Sequence, residues 1–135
     1  MAPSFEPVER TDPRRAVGAT GERLAAAHLE ARGFRLLDRN YRTRNGELDL
    51  VAADARYLVF CEVKARVARS APAPLEPLAS IDGKKRHRLR RMAGEWLAAR
   101  AGGGPHPPEL RFDAIGITLD PAGRLLALDH VEEAF

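Results

Sequence analysis

Cysteine is nearly absent: Cys61 is the only one in 135 residues, which excludes an internal disulfide and any zinc site built from a cysteine cluster. Long apolar runs are missing as well. No stretch approaches the roughly 20 residues needed to span a bilayer, and the N-terminus Met1-Ala2-Pro3-Ser4-Phe5-Glu6-Pro7 has no apolar signal region, so no membrane partner and a cytoplasmic location are expected. No internal repeat is visible, and Cys61, beside Phe60 in a strand-like segment, reads as a small core residue.

What is present suits one domain able to bury its own core: 14.8 kDa, 44% hydrophobic and 30% charged residues. The net charge of +3 is mild, but the 22 lysines and arginines concentrate at residues 39–44, 64–69 and 84–91. Clusters of this kind are the electrostatic footprint of a phosphate-binding surface, although a solvated helix face can look the same.

Residues 1–15 carry Pro3, Pro7 and Pro13 without periodicity and read as a disordered tail, leaving residues 16–135 as the domain. Leu24, Ala25, His28 and Leu29 recur at helical spacing over residues 17–32, with Thr20 as N-cap and Gly33 just past the end. Glu22 then falls in the first turn, where the helix dipole favours a carboxylate. Residues 34–37 predict a strand leading into Arg39-Asn40-Tyr41-Arg42-Thr43-Arg44, where arginines could hold a phosphate backbone while Tyr41 stacks or, equally, packs. Residues 46–52 and 57–64 predict a hairpin. Residues 66–80, with Pro72, Pro74 and Pro77, predict a long loop in the position of a substrate flap. Ser80 or Asp82 would cap a second helix with an apolar stripe of Leu89, Met92, Ala93, Trp96 and Leu97 and a basic stripe of Lys84, His87, Arg88 and Arg91. Two more strands, residues 110–118 and 123–129, complete an order α, β, β, β, α, β, β. The expectation is an α/β fold, a central mixed β-sheet flanked by helices.

The hairpin carries the chemistry. With its register centred between Ala55 and Arg56, cross-strand partners keep a constant number sum, so Asp49 lies opposite Glu62 and Glu47 opposite Lys64. Strand alternation then places these four on one face and Leu48, Leu50, Val59, Cys61 and Val63 on the other. Solvated cross-strand ion pairs would explain the charged face with a contribution of about 0–1 kcal/mol. Two features favour a metal site instead. Val51, Leu58 and Phe60 share the charged face, and three carboxylates against one ammonium leave an excess a hard divalent cation would neutralise. Asp49, Glu62 and the Val63 carbonyl supply oxygen ligands for Mg²⁺ or Mn²⁺. Lys64, two residues beyond Glu62, is placed to orient or deprotonate a water or to stabilise phosphate charge. That set fits hydrolysis of a phosphodiester.

At these residues the chain resembles a known pattern. Asp49 followed by Glu62-Val63-Lys64 looks like the Asp...Glu-x-Lys signature of the restriction-endonuclease-like fold, with Leu48 where a proline usually precedes the Asp. Glu22 resembles the extra acidic residue of archaeal-type Holliday-junction resolvases. Arg39-Asn40-Tyr41-Arg42, Gly46-Glu47-Leu48-Asp49-Leu50, Val59-Phe60-Cys61-Glu62-Val63-Lys64, Arg111-Phe112-Asp113 and the closing Asp129-His130-Val131 and Ala134-Phe135 are similar to the YraN-like family of small bacterial proteins with that fold. The resemblance implies catalytic roles for Asp49, Glu62, Lys64 and Glu22, and a metal-dependent endonuclease acting on DNA, extending to branched or structured DNA. A homodimer would suit paired cuts at a junction. Arg42, Arg44, Arg66, Lys84, Lys85 and Arg88 are the candidate nucleic-acid contacts, Glu47 a supporting residue, and Asp113 either a supporting residue or the cap of a strand end. The alternative is a nucleic-acid-binding protein with little or no catalytic activity, because a fold does not determine a function. A protein-interface adaptor would show no salt-dependent DNA affinity, and a carboxylate-pair glycosidase would leave Lys64 and the basic stripes idle.

Overall fold

The computed structural model describes residues 13–70, 83–100 and 106–135. Helix α1 runs Pro13–Ala31, starting about two turns earlier than the Thr20 cap predicts. A proline, with its preset φ and no N–H to orphan, suits the first helical position. Pro13, Arg14 and Arg15 therefore belong to the helix, and the rest of the expected tail lies outside the described residues. Gly33, at φ 92°, ends the turn that follows, with the Phe34 amide donating to the Leu29 carbonyl at 3.0 Å.

Strand β1, Arg35–Thr43, is longer than the strand expected over residues 34–37 and takes in most of the basic segment that follows it. It pairs antiparallel with β2, Gly46–Ala53, through the Asn45-Gly46 turn. Strand β3, Tyr57–Val67, pairs antiparallel with β2 from Leu50↔Cys61 to Ala53↔Leu58, the register the constant sum predicts. Ala55-Arg56 is a weak turn pair. Asp54 compensates, its Oδ1 accepting from the Arg56 and Tyr57 amides at 2.9 and 2.6 Å. Helix α2, Gly83–Ala99, is the crossover from β3 to a parallel β4, Glu109–Leu119, and β5, Leu125–Val131, closes the sheet antiparallel to β4. The predicted α2 caps and the core of the expected flap, residues 71–82, lie outside the described residues.

The result is the expected α/β architecture: a five-stranded mixed sheet in the order β1-β2-β3-β4-β5 with a core on each face. On one face Ala25, Ala26 and Leu29 of α1 bury Leu50, Ala52, Val59, Cys61, Ile115 and Ile117. On the other Leu89, Met92, Ala93 and Trp96 of α2 bury Leu48, Val51, Leu58 and Phe60. Trp96 packs edge-on against Phe60 and donates its indole N–H to Asp38 Oδ2 at 3.1 Å. Tyr41 packs against this second core, which settles its role in favour of packing. Helix α1 approaches β3 closely at Gly21, where a Cβ would meet the Ala65 Cβ at 2.6 Å.

Candidate functional site

The site is built around a break in strand alternation. Leu48 and Val51 lie in the α2-side core while Leu50 lies in the α1-side core, so the pleat does not alternate through Asp49. The same happens on β1: Arg39 reaches Glu30 of α1 at 3.6 Å, whereas Tyr41 packs on the α2 side. Asn40, across from Asp49 in the register sum, has φ 51°, a left-handed conformation that asparagine tolerates. Both strands therefore flip at one rung.

The flip corrects the single charged face. Glu47 and Asp49 turn toward α1, where they meet Glu22, and one carboxylate oxygen from each of the three lies within 4.8 Å of the others. Glu62 and Lys64 keep the parity of Phe60 and face α2. There Glu62 Oε1 lies 2.7 Å from the Lys85 ammonium and 3.6 Å from that of Lys64. Because α1 begins at Pro13, Glu22 stands in mid-helix, beyond the reach of the helix N-terminal dipole. Among the described residues, Glu22, Glu47 and Asp49 are the one group of three potential ligands that converges; Glu62 is not part of it.

Asp49 also links the two sides. The hairpin closes with the Asp54 amide on the Tyr57 carbonyl, so hydrogen-bonded rungs fall at every second pair, through Leu50↔Cys61. The next rung would join the Val63 amide to the Leu48 carbonyl, but the paired ladder ends before it. The Val63 amide donates instead to Asp49 Oδ2 at 2.8 Å.

The electrostatics follow from this crowding. Burial first, then the neighbouring Glu62, Glu22 and Glu47, push Asp49 up to about 7 despite the Val63 hydrogen bond. Burial also raises Glu22, opposed by a hydrogen bond from the Asn40 side chain and reinforced by Glu47. On the other face the neighbouring Lys85 and burial lower Lys64, with Glu62 acting against them. Lys85 itself is raised, its contacts with Glu62 and Lys64 outweighing burial. The donor set on the α1 side is all oxygen and bears like charges that resist full ionisation. That chemistry fits a hard divalent cation.

The basic residues divide. Arg42 is almost fully exposed and lies 3.9 Å from Glu47, and Arg44 is exposed one residue beyond β1. Lys84 and Arg88 line a surface hollow of about 460 Å³ with Asn45, His87 and Arg91. Arg66 donates to Thr118 Oγ1 at 3.1 Å, and Lys85 turns inward to Glu62. Asp113 is fully buried. It holds Arg111 through two 2.9 Å hydrogen bonds, His130 Nε2 at 2.8 Å and the Glu133 amide at 3.2 Å. It therefore fastens the C-terminal segment to β4, and none of these bonds reaches the carboxylate cluster. Sequence reasoning passed over Asn40; the available signal was an asparagine, tolerant of positive φ, in the middle of a strand.

A family model described as an uncharacterised protein family, UPF0102, matches residues 21–117. A UPF0102 protein of Kineococcus radiotolerans is 46% identical over 108 residues, covering 80% of this chain and 84% of that protein. One of Frankia alni is 42% identical over 121 residues, covering 89% and 94%, and one of Pelotomaculum thermopropionicum is 42% identical over 124 residues, covering 92% and 98%.

Proposed function

The chain belongs to the UPF0102, or YraN-like, family, and from that premise we propose a metal-dependent endonuclease of the restriction-endonuclease-like class. It would hydrolyse phosphodiester bonds in DNA, branched and structured DNA included, in the cytoplasm. The observation that carries the reading is the convergence of Glu22, Glu47 and Asp49 beside a Glu62–Lys64–Lys85 cluster. Acidic oxygens on one side of the Val63 amide and ammonium groups on the other are what a phosphodiester and its attacking water require.

Asp49, Glu22 and Glu47 would hold Mg²⁺ or Mn²⁺, with the Val63 carbonyl beside them and Glu62 as a further ligand were it to release Lys85. When bound, the cation polarises the phosphate and lowers the pKa of a coordinated water. The remaining work belongs to side chains. Lys64, its pKa already lowered, accepts a proton from the attacking water or neutralises the equatorial phosphate oxygens. Lys85 takes phosphate charge once Glu62 lets go. Arg42, Arg44, Arg66, Lys84 and Arg88 hold the flanking backbone, and their contribution falls with salt as counterions are released. Two symmetric cuts at a junction would call for a homodimer.

Labelled linear, single-stranded and four-way-junction DNA, incubated with Mg²⁺ or Mn²⁺ and with wild type, Asp49→Asn and Lys64→Ala prepared in parallel, tests the reading. Metal-dependent cutting lost in both variants is expected. Cutting that survives in both variants, or no cutting with any metal, overturns it. A second reading, a nucleic-acid-binding protein that does not cut, is favoured by the closed Glu62–Lys85 pair. It predicts salt-dependent binding unchanged in Lys64→Ala and no product.

A further inference from the structure

A second group of metal-ligating side chains lies between α1 and β5, away from the carboxylate cluster. His28 Nε2 and His130 Nδ1 face each other at 2.9 Å, with the rings edge to face at 77°. His130 is almost fully buried, and its other nitrogen, Nε2, lies 2.8 Å from Asp113 Oδ2. Asp113 is kept ionised: burial works against it, but the hydrogen bonds from His130 and Arg111 hold it below the usual carboxylate range. The Asp113 carboxylate accepts from Nε2, which places a proton there and leaves Nδ1 turned toward His28.

We propose that His28 and His130 form a binding site for a borderline divalent transition-metal ion, of the Ni²⁺ or Cu²⁺ class, with Asp113 as the residue that orients His130. A buried carboxylate on the far nitrogen of a histidine is the arrangement that aligns histidine ligands in metal sites and raises their basicity. The separation also fits. With metal–nitrogen distances of about 2.0–2.1 Å, two nitrogens in cis positions of a square-planar or octahedral ion stand about 2.9 Å apart. Two imidazoles and no thiolate select this class over Mg²⁺.

Binding needs one proton to move. In the hydrogen-bonded pair one proton lies between His28 Nε2 and His130 Nδ1; uptake of an ion would move it to His28 Nδ1 or to solvent. Burial, the His130 ring and Arg32 lower the pKa of His28, which favours its neutral form. His28 is half-buried, so water completes the coordination. The ion would tie the last turn of α1 to the sheet-edge strand.

Calorimetric titration of the full chain with Ni²⁺, in saturating Mg²⁺ to occupy the carboxylate cluster, tests the site. One Ni²⁺ per chain is expected, weakened at least about tenfold in His28→Ala and about ten- to a hundredfold in Asp113→Asn, and unchanged in His87→Ala and Asp49→Asn. Equal binding by wild type and His28→Ala, no uptake by wild type, or loss in Asp49→Asn overturns it. Because Asp113→Asn perturbs a buried network, the electron paramagnetic resonance of Cu²⁺ bound to wild type provides a second readout: coupling to two imidazole nitrogens supports the site, and coupling to one or none rejects it.

Discussion

Lys85, reaching from α2, holds the Glu62 carboxylate at 2.7 Å, closer than the 3.6 Å at which Lys64 of the same strand approaches that oxygen. The two ammonium groups compete for one acceptor, and the helical one wins.

Lys85→Met should therefore raise the pKa of Lys64, because the Lys85 ammonium is the foremost cause of its lowering. Side-chain nitrogen-detected NMR titration of wild type and variant measures this. A Lys64 that titrates identically in both would show the pair to be uncoupled.

Asp49 gives the pH dependence. Its folded pKa of about 7 stands above the value near 3.9 in an unfolded chain. The stability it contributes is thus present in full below about pH 4 and lost as pH rises through 7. At about 1.36 kcal/mol per pH unit of separation, Asp49→Asn should gain up to about 4 kcal/mol over wild type at pH 8 and almost nothing at pH 4. Urea unfolding at the two pH values measures the difference. Under the metal-site reading, Mg²⁺ should stabilise wild type at pH 8 and leave Asp49→Asn unmoved.

Gly21→Ala places a methyl 2.6 Å from the Ala65 Cβ, so helix and strand must part, at about 1–3 kcal/mol. Ala65→Gly in the same chain should restore part of that loss. If the double variant is no more stable than Gly21→Ala alone, the close approach is not the cause.

Asp113→Ala leaves the buried Arg111 guanidinium without its principal partner, a loss of about 3–5 kcal/mol. It also removes the acceptor of His130 and of the Glu133 amide. Hydrogen exchange should quicken first at residues 130–135.

The register of the β2–β3 hairpin was legible because one closing loop and a constant sum determine every pair, and Leu50↔Cys61 obeys it. The two cores were legible from alternation in β3 and helical spacing in α2, where Trp96 packs as expected. The face of Asp49 was not. Alternation is a local rule, and the flip at Asn40 and Asp49 is shared between two strands, visible only once they pair. Glu62 with Lys85, and His28 with His130, meet across 23 and 102 positions, and no periodicity within either segment encodes such a meeting. The start of α1 was placed late because Thr20 was taken as the cap, although Asp12 directly before Pro13 is at least as good a cap by residue type.

The Val63 amide, taken by a side chain where a strand carbonyl would ordinarily serve, makes Asp49 a wedge as well as a charge. With alanine at 49 the Val63 amide loses that acceptor, and the Leu48 carbonyl becomes the strand partner left to it. The hairpin is then free to zip one rung further, and the space that Glu22 and Glu47 now face would fill with ordinary sheet.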